Sequence, residues 1–142
     1  MKALAAPLSR LLDRVIPPEL QFDAVVPVPL HWRKQWDRGF NQADLLARHV
    51  AKRRNIPVLH ALRRKRATAA QAGLARAGRR RNVAGAFAAR RTSSLKDARI
   101  LLIDDVMTTG ATASACASVL KRAGAKSVTI LTLARVDRRW NS

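Results

Sequence analysis

Acidic residues are scarce in this chain. Nine Asp and Glu stand against 28 Lys and Arg among 142 residues, a formal net charge of +19 at pH 7. Two readings of that excess stay open: a polyanionic partner such as nucleic acid, a phosphorylated metabolite or an anionic surface, or a composition rich in Arg and Ala throughout. Cysteine is scarcer still. Cys116 is the single one, so no disulfide can form within the chain, which fits a reducing, cytoplasmic setting. No apolar run approaches the length that crosses a bilayer, so membrane insertion is not expected. The first twenty residues, MKALAAPLSRLLDRVIPPEL, lack the apolar core of a secretory signal, because Asp13 and Arg14 interrupt them. The six glycines, at 39, 73, 78, 85, 110 and 124, form neither G-x-G nor the phosphate loop G-x-x-x-x-G-K-[ST]. The dinucleotide fingerprint and the P-loop are therefore both excluded. Histidines at 31, 49 and 60 share no metal-ligand spacing with one another or with Cys116.

What is present reads as one domain over residues 1–142, with 48% hydrophobic residues to build its core. Residues 1–21 read as an N-terminal amphipathic helix with Leu4, Leu8, Leu11, Leu12 and Val15 on one side, stopped by Pro17 and Pro18. FDAVVPV (22–28) reads as a short buried strand that ends in a constrained turn at Pro27 and Pro29. A loop, LHWRKQWDRGF, precedes a helix that starts near Asn41, a good N-cap residue, with Ala43, Leu46, Ala47 and Val50 inward. Residues 56–62 read as a short strand or turn. The basic, Ala-rich segment 63–82 has few large apolar residues to bury and reads as a flexible loop.

From Arg99 the pattern is regular. Ile100 to Ile103 are continuously apolar, as in a parallel strand covered on both faces. Ala113, Cys116, Ala117 and Leu120 follow the i, i+3, i+4, i+7 spacing of a packed helix. Lys121 and Arg122 suit its C-terminal dipole, and Gly124 suits its stop. SVTILTL (127–133) is a further strand. Strand, loop, helix, strand makes a βαβ unit, whose ligands sit at the carboxyl ends of the strands.

The loop at that position, DDVMTTGAT (104–112), carries the chemistry. Small residues and Gly110 let backbone N–H groups approach a ligand, and the helix start after them favours a phosphate. Asp104 and Asp105 would repel a phosphate. They accept hydrogen bonds from hydroxyls, so a vicinal diol suits them. A ribose 5-phosphate has both parts. An acidic strand end with a threonine N-cap is the plain structural alternative, but the full run ILLIDDVMTTGATA (100–113) is much more specific than a pair of acids.

This loop resembles that of type I phosphoribosyltransferases, and the chain resembles the ComF family of competence-associated phosphoribosyltransferase-like proteins. VPVPLHWRKQWDRGFNQADLLA (26–47), TAAQAGLARAGRRRNVAGAF (68–87) and TLARV (132–136) carry the likeness, which covers about residues 22–136. It implies an α/β fold of the type I phosphoribosyltransferase kind, a central parallel sheet flanked by helices with a small flexible hood. It implies that Asp104 and Asp105 hold the ribose hydroxyls of phosphoribosyl diphosphate (PRPP) and act as the catalytic acids. Thr108, Thr109, Gly110, Ala111 and Thr112 would wrap the 5-phosphate. The turn from Pro27, with Pro29 and Leu30, would approach the diphosphate, and Arg33, Lys34 and Arg38 are basic candidates for the same group. The flexible loop, with Gln71, Arg79 and Asn82, would close over the site. Mg²⁺ would bridge diphosphate and ribose hydroxyls with no direct protein ligand.

Two departures qualify the likeness. Purine-salvage enzymes carry an Asp where this chain has Thr108, which argues against 6-oxopurine transfer. Longer ComF members have a Cys-rich zinc module before the first strand; this chain has no such cysteines, so zinc is not expected. Cys116 lies on an apolar helix face and reads as packing. Trp32 and Trp36, among Arg33, Lys34 and Arg38, either pack beneath their loop or stack bases of single-stranded DNA. Two functions follow: a phosphoribosyltransferase of unknown acceptor, or a PRPP-responsive, DNA-binding competence protein with little transferase activity. A homo-oligomer is compatible with both.

Overall fold

The computed structural model describes residues 4–30, 41–65, 85–91, 95–107 and 110–135. Along the chain these form α1 (Ala5–Val15), β1 (Ala24–Pro27), α2 (Gln42–Arg54), β2 (Leu62–Arg64), β3 (Phe87–Ala89), β4 (Arg99–Met107), α3 (Ala111–Arg122) and β5 (Ser127–Arg135). No helix among the described residues is long and apolar enough to cross a membrane.

The floor is a parallel sheet in the order β1-β4-β5. Ile100, Leu101, Leu102 and Ile103 are fully buried, because this central strand is covered on both faces. Alternation sorts them. Ile100 and Leu102 pack with Val26, Cys116, Val119 and Leu120, while Leu101 and Ile103 pack with Val25, Leu46, Val50 and Leu12. Thus α3 covers one face, and α1 with α2 covers the other. Each fully buried Leu or Ile contributes roughly 1.5–3 kcal/mol of transfer free energy. At the other edge, Val58 forms a parallel bridge to Val25. The chain then turns into an antiparallel hairpin in which Leu62, Arg63 and Arg64 pair with Ala89, Ala88 and Phe87.

Local signals explain the helix ends. The Asn41 side chain accepts a hydrogen bond from the Ala43 N–H (3.0 Å) and caps α2 as expected. Gly124, at φ 113°, provides the left-handed residue that stops the chain after α3. On α2, Ala43, Leu46, Ala47 and Val50 are buried as expected, and on α3 Ala113, Cys116 and Leu120 are, joined there by Ala115 and Val119.

Three expectations need correction. The N-terminal helix is shorter than residues 1–21 and turns a different face inward. Ala5, Ser9, Leu12 and, just past its end, Ile16 are buried, whereas Leu4, Leu11 and Val15 are 55%, 57% and 63% exposed. Small residues at 5 and 9 let α1 lie close against its neighbours, and Ser9 satisfies its hydroxyl on the Ala6 carbonyl (2.8 Å). Arg63 and Arg64 belong to β2, not to a loop; their backbone pairs with β3, and the rest of that segment from residue 66 lies outside the described residues. Finally, β4 does not end at the acids. Asp104 pairs with Thr132, and the ladder continues to Met107 opposite Arg135. The neighbouring β5 is long enough to pair the backbone that far.

Candidate functional site

The site forms where the sheet loses a strand. β1 pairs with β4 only as far as Ile103, whose carbonyl accepts from the Val28 N–H (2.9 Å). Pro27 and Pro29 have no N–H to extend the ladder, so β1 turns away there. Past that point β4 carries Asp104 and Asp105 while still paired to β5. Asn41 fixes the departing turn: its Nδ2 donates to the Val28 carbonyl (3.1 Å) while its Oδ1 caps α2. One side chain therefore ties the start of α2 to the strand end.

Asp104 lies on the α3 face of β4 and is only 8% exposed. Burial, and next the negative charge of Asp105, push its carboxyl up from the ordinary value near 3.8 to about 6. Two carboxyls this close are unfavourable together unless hydroxyl donors or a cation relieve them. Cys116 packs from α3 against the same face of β4. Burial, and then the charge of Asp104, push its thiol up to about 12, with the Arg64 guanidinium pulling the other way. A thiol so hard to ionise is inert, which supports packing as its role.

Beyond the acids, Gly110 adopts a left-handed conformation (φ 78°) and starts α3. The first α-helical bond runs from the Ser114 N–H to the Gly110 carbonyl (2.9 Å). The N–H groups of the turn before it therefore head out of the helix start, and no acidic residue occupies that turn. Ala111 and Thr112 sit in it, half-buried. Gly110, Ala111 and Thr112 thus stand beside the acids on consecutive elements. Pro29 and Leu30 line the adjoining cleft. Thr108 and Thr109, Arg33, Lys34 and Arg38, the two tryptophans of that segment, and Gln71, Arg79 and Asn82 lie outside the described residues.

The adjoining cleft, of about 520 Å³, has a cluster that the sequence did not announce. Asp44 of α2 accepts from Arg48 Nε (2.9 Å) and shares a hydrogen bond with His60 Nε2 (2.5 Å). Burial alone would push the Asp44 carboxyl up; the hydrogen bonds from His60 and Arg48 outweigh it, and it lies below its usual value. The Asp44–Arg48 pair follows i, i+4 spacing and was readable. His60 comes from sixteen residues further on, and only the fold brings it there.

Comparison with known proteins agrees with this fold. Residues 37–141 match the phosphoribosyl transferase domain family. The chain is 37% identical over 115 residues to competence protein F of Haemophilus influenzae, covering 80% of this chain and 50% of that protein. It is 39% identical over 119 residues to the DNA utilization protein YhgH of Escherichia coli K12, covering 80% and 49%, and 31% identical over 112 residues to competence protein ComFC of Bacillus subtilis, covering 78% and 44%. The chain spans about half the length of these relatives. Among solved structures, the glutamine PRPP amidotransferase of B. subtilis superposes with a TM-score of 0.63 at 21% identity, over 91% of this chain and 26% of that one. The orotate phosphoribosyltransferase of Aeropyrum pernix superposes with a TM-score of 0.55 at 17% identity, over 96% and 73%. The α/β fold is therefore that of the type I phosphoribosyltransferases, and the chain belongs to the phosphoribosyltransferase domain family, in its competence-associated ComF branch.

Proposed function

We propose that the chain binds PRPP at the carboxyl end of β4 and transfers its phosphoribosyl group to an acceptor. The observation that carries this reading is the junction of β4 and α3. A pair of carboxyls, Asp104 buried and Asp105 half-buried, stands next to a glycine-started helix whose first turn is free of acids. The acids suit the ribose diol, and the helix start, with Thr108 and Thr109, suits the 5-phosphate. The Pro29–Leu30 turn, with Arg33, Lys34 and Arg38, is the candidate mooring for diphosphate.

With both ends of PRPP held, the bond between C1 and the diphosphate oxygen breaks. The leaving group departs with the electron pair, and the acceptor bonds to C1 and loses a proton. The charge on Asp104 and Asp105 lies beside a ribose ring that becomes positive in the transition state. Two acids beside a diol also fit a magnesium ion held through PRPP oxygens, and that ion, when bound, neutralises charge on the leaving diphosphate. The remainder of the 63–82 loop, with Gln71, Arg79 and Asn82, would cover the ligand. A reducing, cytoplasmic setting is compatible with this reading.

The test is a PRPP-consumption screen over nucleobases and small amines. Diphosphate release with one acceptor class supports transfer; hypoxanthine and guanine should be inactive because Thr108 replaces the Asp of purine-salvage enzymes. A second reading has its own support in the +19 charge and in relatives named for competence and DNA utilization. On it, the chain is a PRPP-responsive protein that binds single-stranded DNA. That reading requires binding at physiological salt, with a log–log salt slope of about −0.7 per phosphate neutralised, and no diphosphate release with any acceptor.

A further inference from the structure

The cleft beside the Pro29–Leu30 turn has a composition that the PRPP reading does not use. Its lining combines the apolar Pro27, Leu45 and Leu62 with four arginines, Arg48, Arg63, Arg64 and Arg90. The one carboxylate in the lining, Asp44, is already matched, since Arg48 and His60 occupy its two oxygens. Arg48 is spent on that acid, which leaves Arg63 and Arg90 without a carboxylate in the lining, and this surplus calls for a ligand with more than one negative charge.

The cations stand on fixed backbone. Arg63 pairs across the hairpin with Ala88, and the Arg90 N–H donates to the Ala61 carbonyl (2.7 Å). Strand alternation puts Arg63 and Arg90 on one face of the hairpin with only alanines between them, at diagonal positions. Arg64 points to the other face, over the Phe87 ring at 5.3 Å, where burial lowers its pKa from the ordinary arginine value. A volume of about 520 Å³ is within the range of small-molecule sites, roughly 300–1,000 Å³. It would take a single flat ring against Pro27 and Leu45 together with a charged tail.

We propose that this cleft is a second anion site that holds a nucleoside phosphate, with the phosphates on Arg63, Arg90 and Arg48 and the base against Pro27 and Leu45. The site lies beside the ribose-phosphate cradle and shares with it only the Pro29–Leu30 turn. Its occupant would therefore be felt at the diphosphate end of PRPP; that coupling, unlike the site itself, rests on the proposed function. His60 is a positioning residue, which holds Asp44 and, through it, Arg48.

Calorimetry with AMP, GMP, UMP, CMP and inorganic phosphate as probes tests the assignment on three proteins: wild type, Arg63→Gln/Arg90→Gln, and Asp104→Asn/Asp105→Asn. Arg63 and Arg90 are exposed, so their replacement leaves the fold intact, as a melting curve would verify. At least one nucleotide should bind wild type and the acid variant alike, and bind the arginine variant at least tenfold more weakly. His60→Gln should weaken it by a smaller factor. The proposal is overturned if no nucleotide binds wild type at physiological salt, if inorganic phosphate binds as tightly as the nucleotides, or if binding is lost with the acids and kept without the arginines. Failure of the PRPP reading looks different: PRPP affinity would be unchanged in the acid variant, whatever the arginines do.

Discussion

The β1-β4-β5 floor and the β2-β3 hairpin are both small sheets, yet they stand on opposite physics. The central strand of the floor is apolar on both faces over Ile100–Ile103, and it then carries two acids, Asp104 buried and Asp105 half-buried. The hairpin turns Leu62 and Phe87 into the core and presents Arg63 and Arg64 to solvent. Its backbone bonds hold it, while its cations stand on its surface. The contrast teaches where a ligand's parts belong. On the proposed reading, hydroxyls go to the negative end of the floor, and phosphates go to helix starts and guanidinium groups around it. Stability and ligand charge are then handled by different regions, which mutation can separate.

The largest expected effect is in the floor. Leu101→Ala, at a fully buried position on β4, should cost about 2–5 kcal/mol by removing packed methyl groups on the α2 side. Thermal unfolding should report a drop on the order of 10 °C. A loss below about 1 kcal/mol would mean that the floor is not the core.

Asp104→Asn should act in the other direction and more weakly. The carboxyl of Asp104 is raised to about 6 in the fold, so the wild-type fold prefers it protonated. Its contribution is intact below pH 4 and is lost as the pH rises through about 6. Asparagine does not titrate and escapes that loss. Urea unfolding at pH 7 should therefore find the variant more stable by on the order of 1 kcal/mol, with the advantage gone near pH 4. An equal difference at both pH values would show that ionisation is not its cause.

The smallest effect belongs to the hairpin surface. Arg63→Gln with Arg90→Gln should change stability by less than about 0.5 kcal/mol. A loss as large as that of Leu101→Ala would mean that these cations hold the hairpin together, and the separation of roles would fail.

The same contrast governs what could be read from residues alone. Ile100 to Ile103 declare a covered strand because four large apolar residues in a row have no solvent face. Asn41 and Gly124 declare helix ends because few other residues suit those positions. The proposal of phosphate and diol at Asp104 to Thr112 has a similar basis, since it rests on residues contiguous in sequence. Contacts distant in sequence were not readable. Pairing of Leu62–Arg64 with Phe87–Ala89 has no alternation of its own to reveal it, and β4 continues through its acids because β5 continues beside it. On α1 the leucines suggested the inner face, but close approach of the helices favoured Ala5 and Ser9. The Asp44–His60 pair needed the whole turn between α2 and β2 to be in place.

The central claim is that the two acids of β4 hold the ribose of PRPP. It is tested most directly by titrating magnesium–PRPP into wild type and into Asp104→Asn/Asp105→Asn in a calorimeter, after unfolding curves have shown both to be folded. Hydrogen bonds to charged groups contribute roughly 1.5–3 kcal/mol each, so loss of both should weaken binding by about a hundredfold or more. Unchanged affinity in the folded double variant would contradict the account.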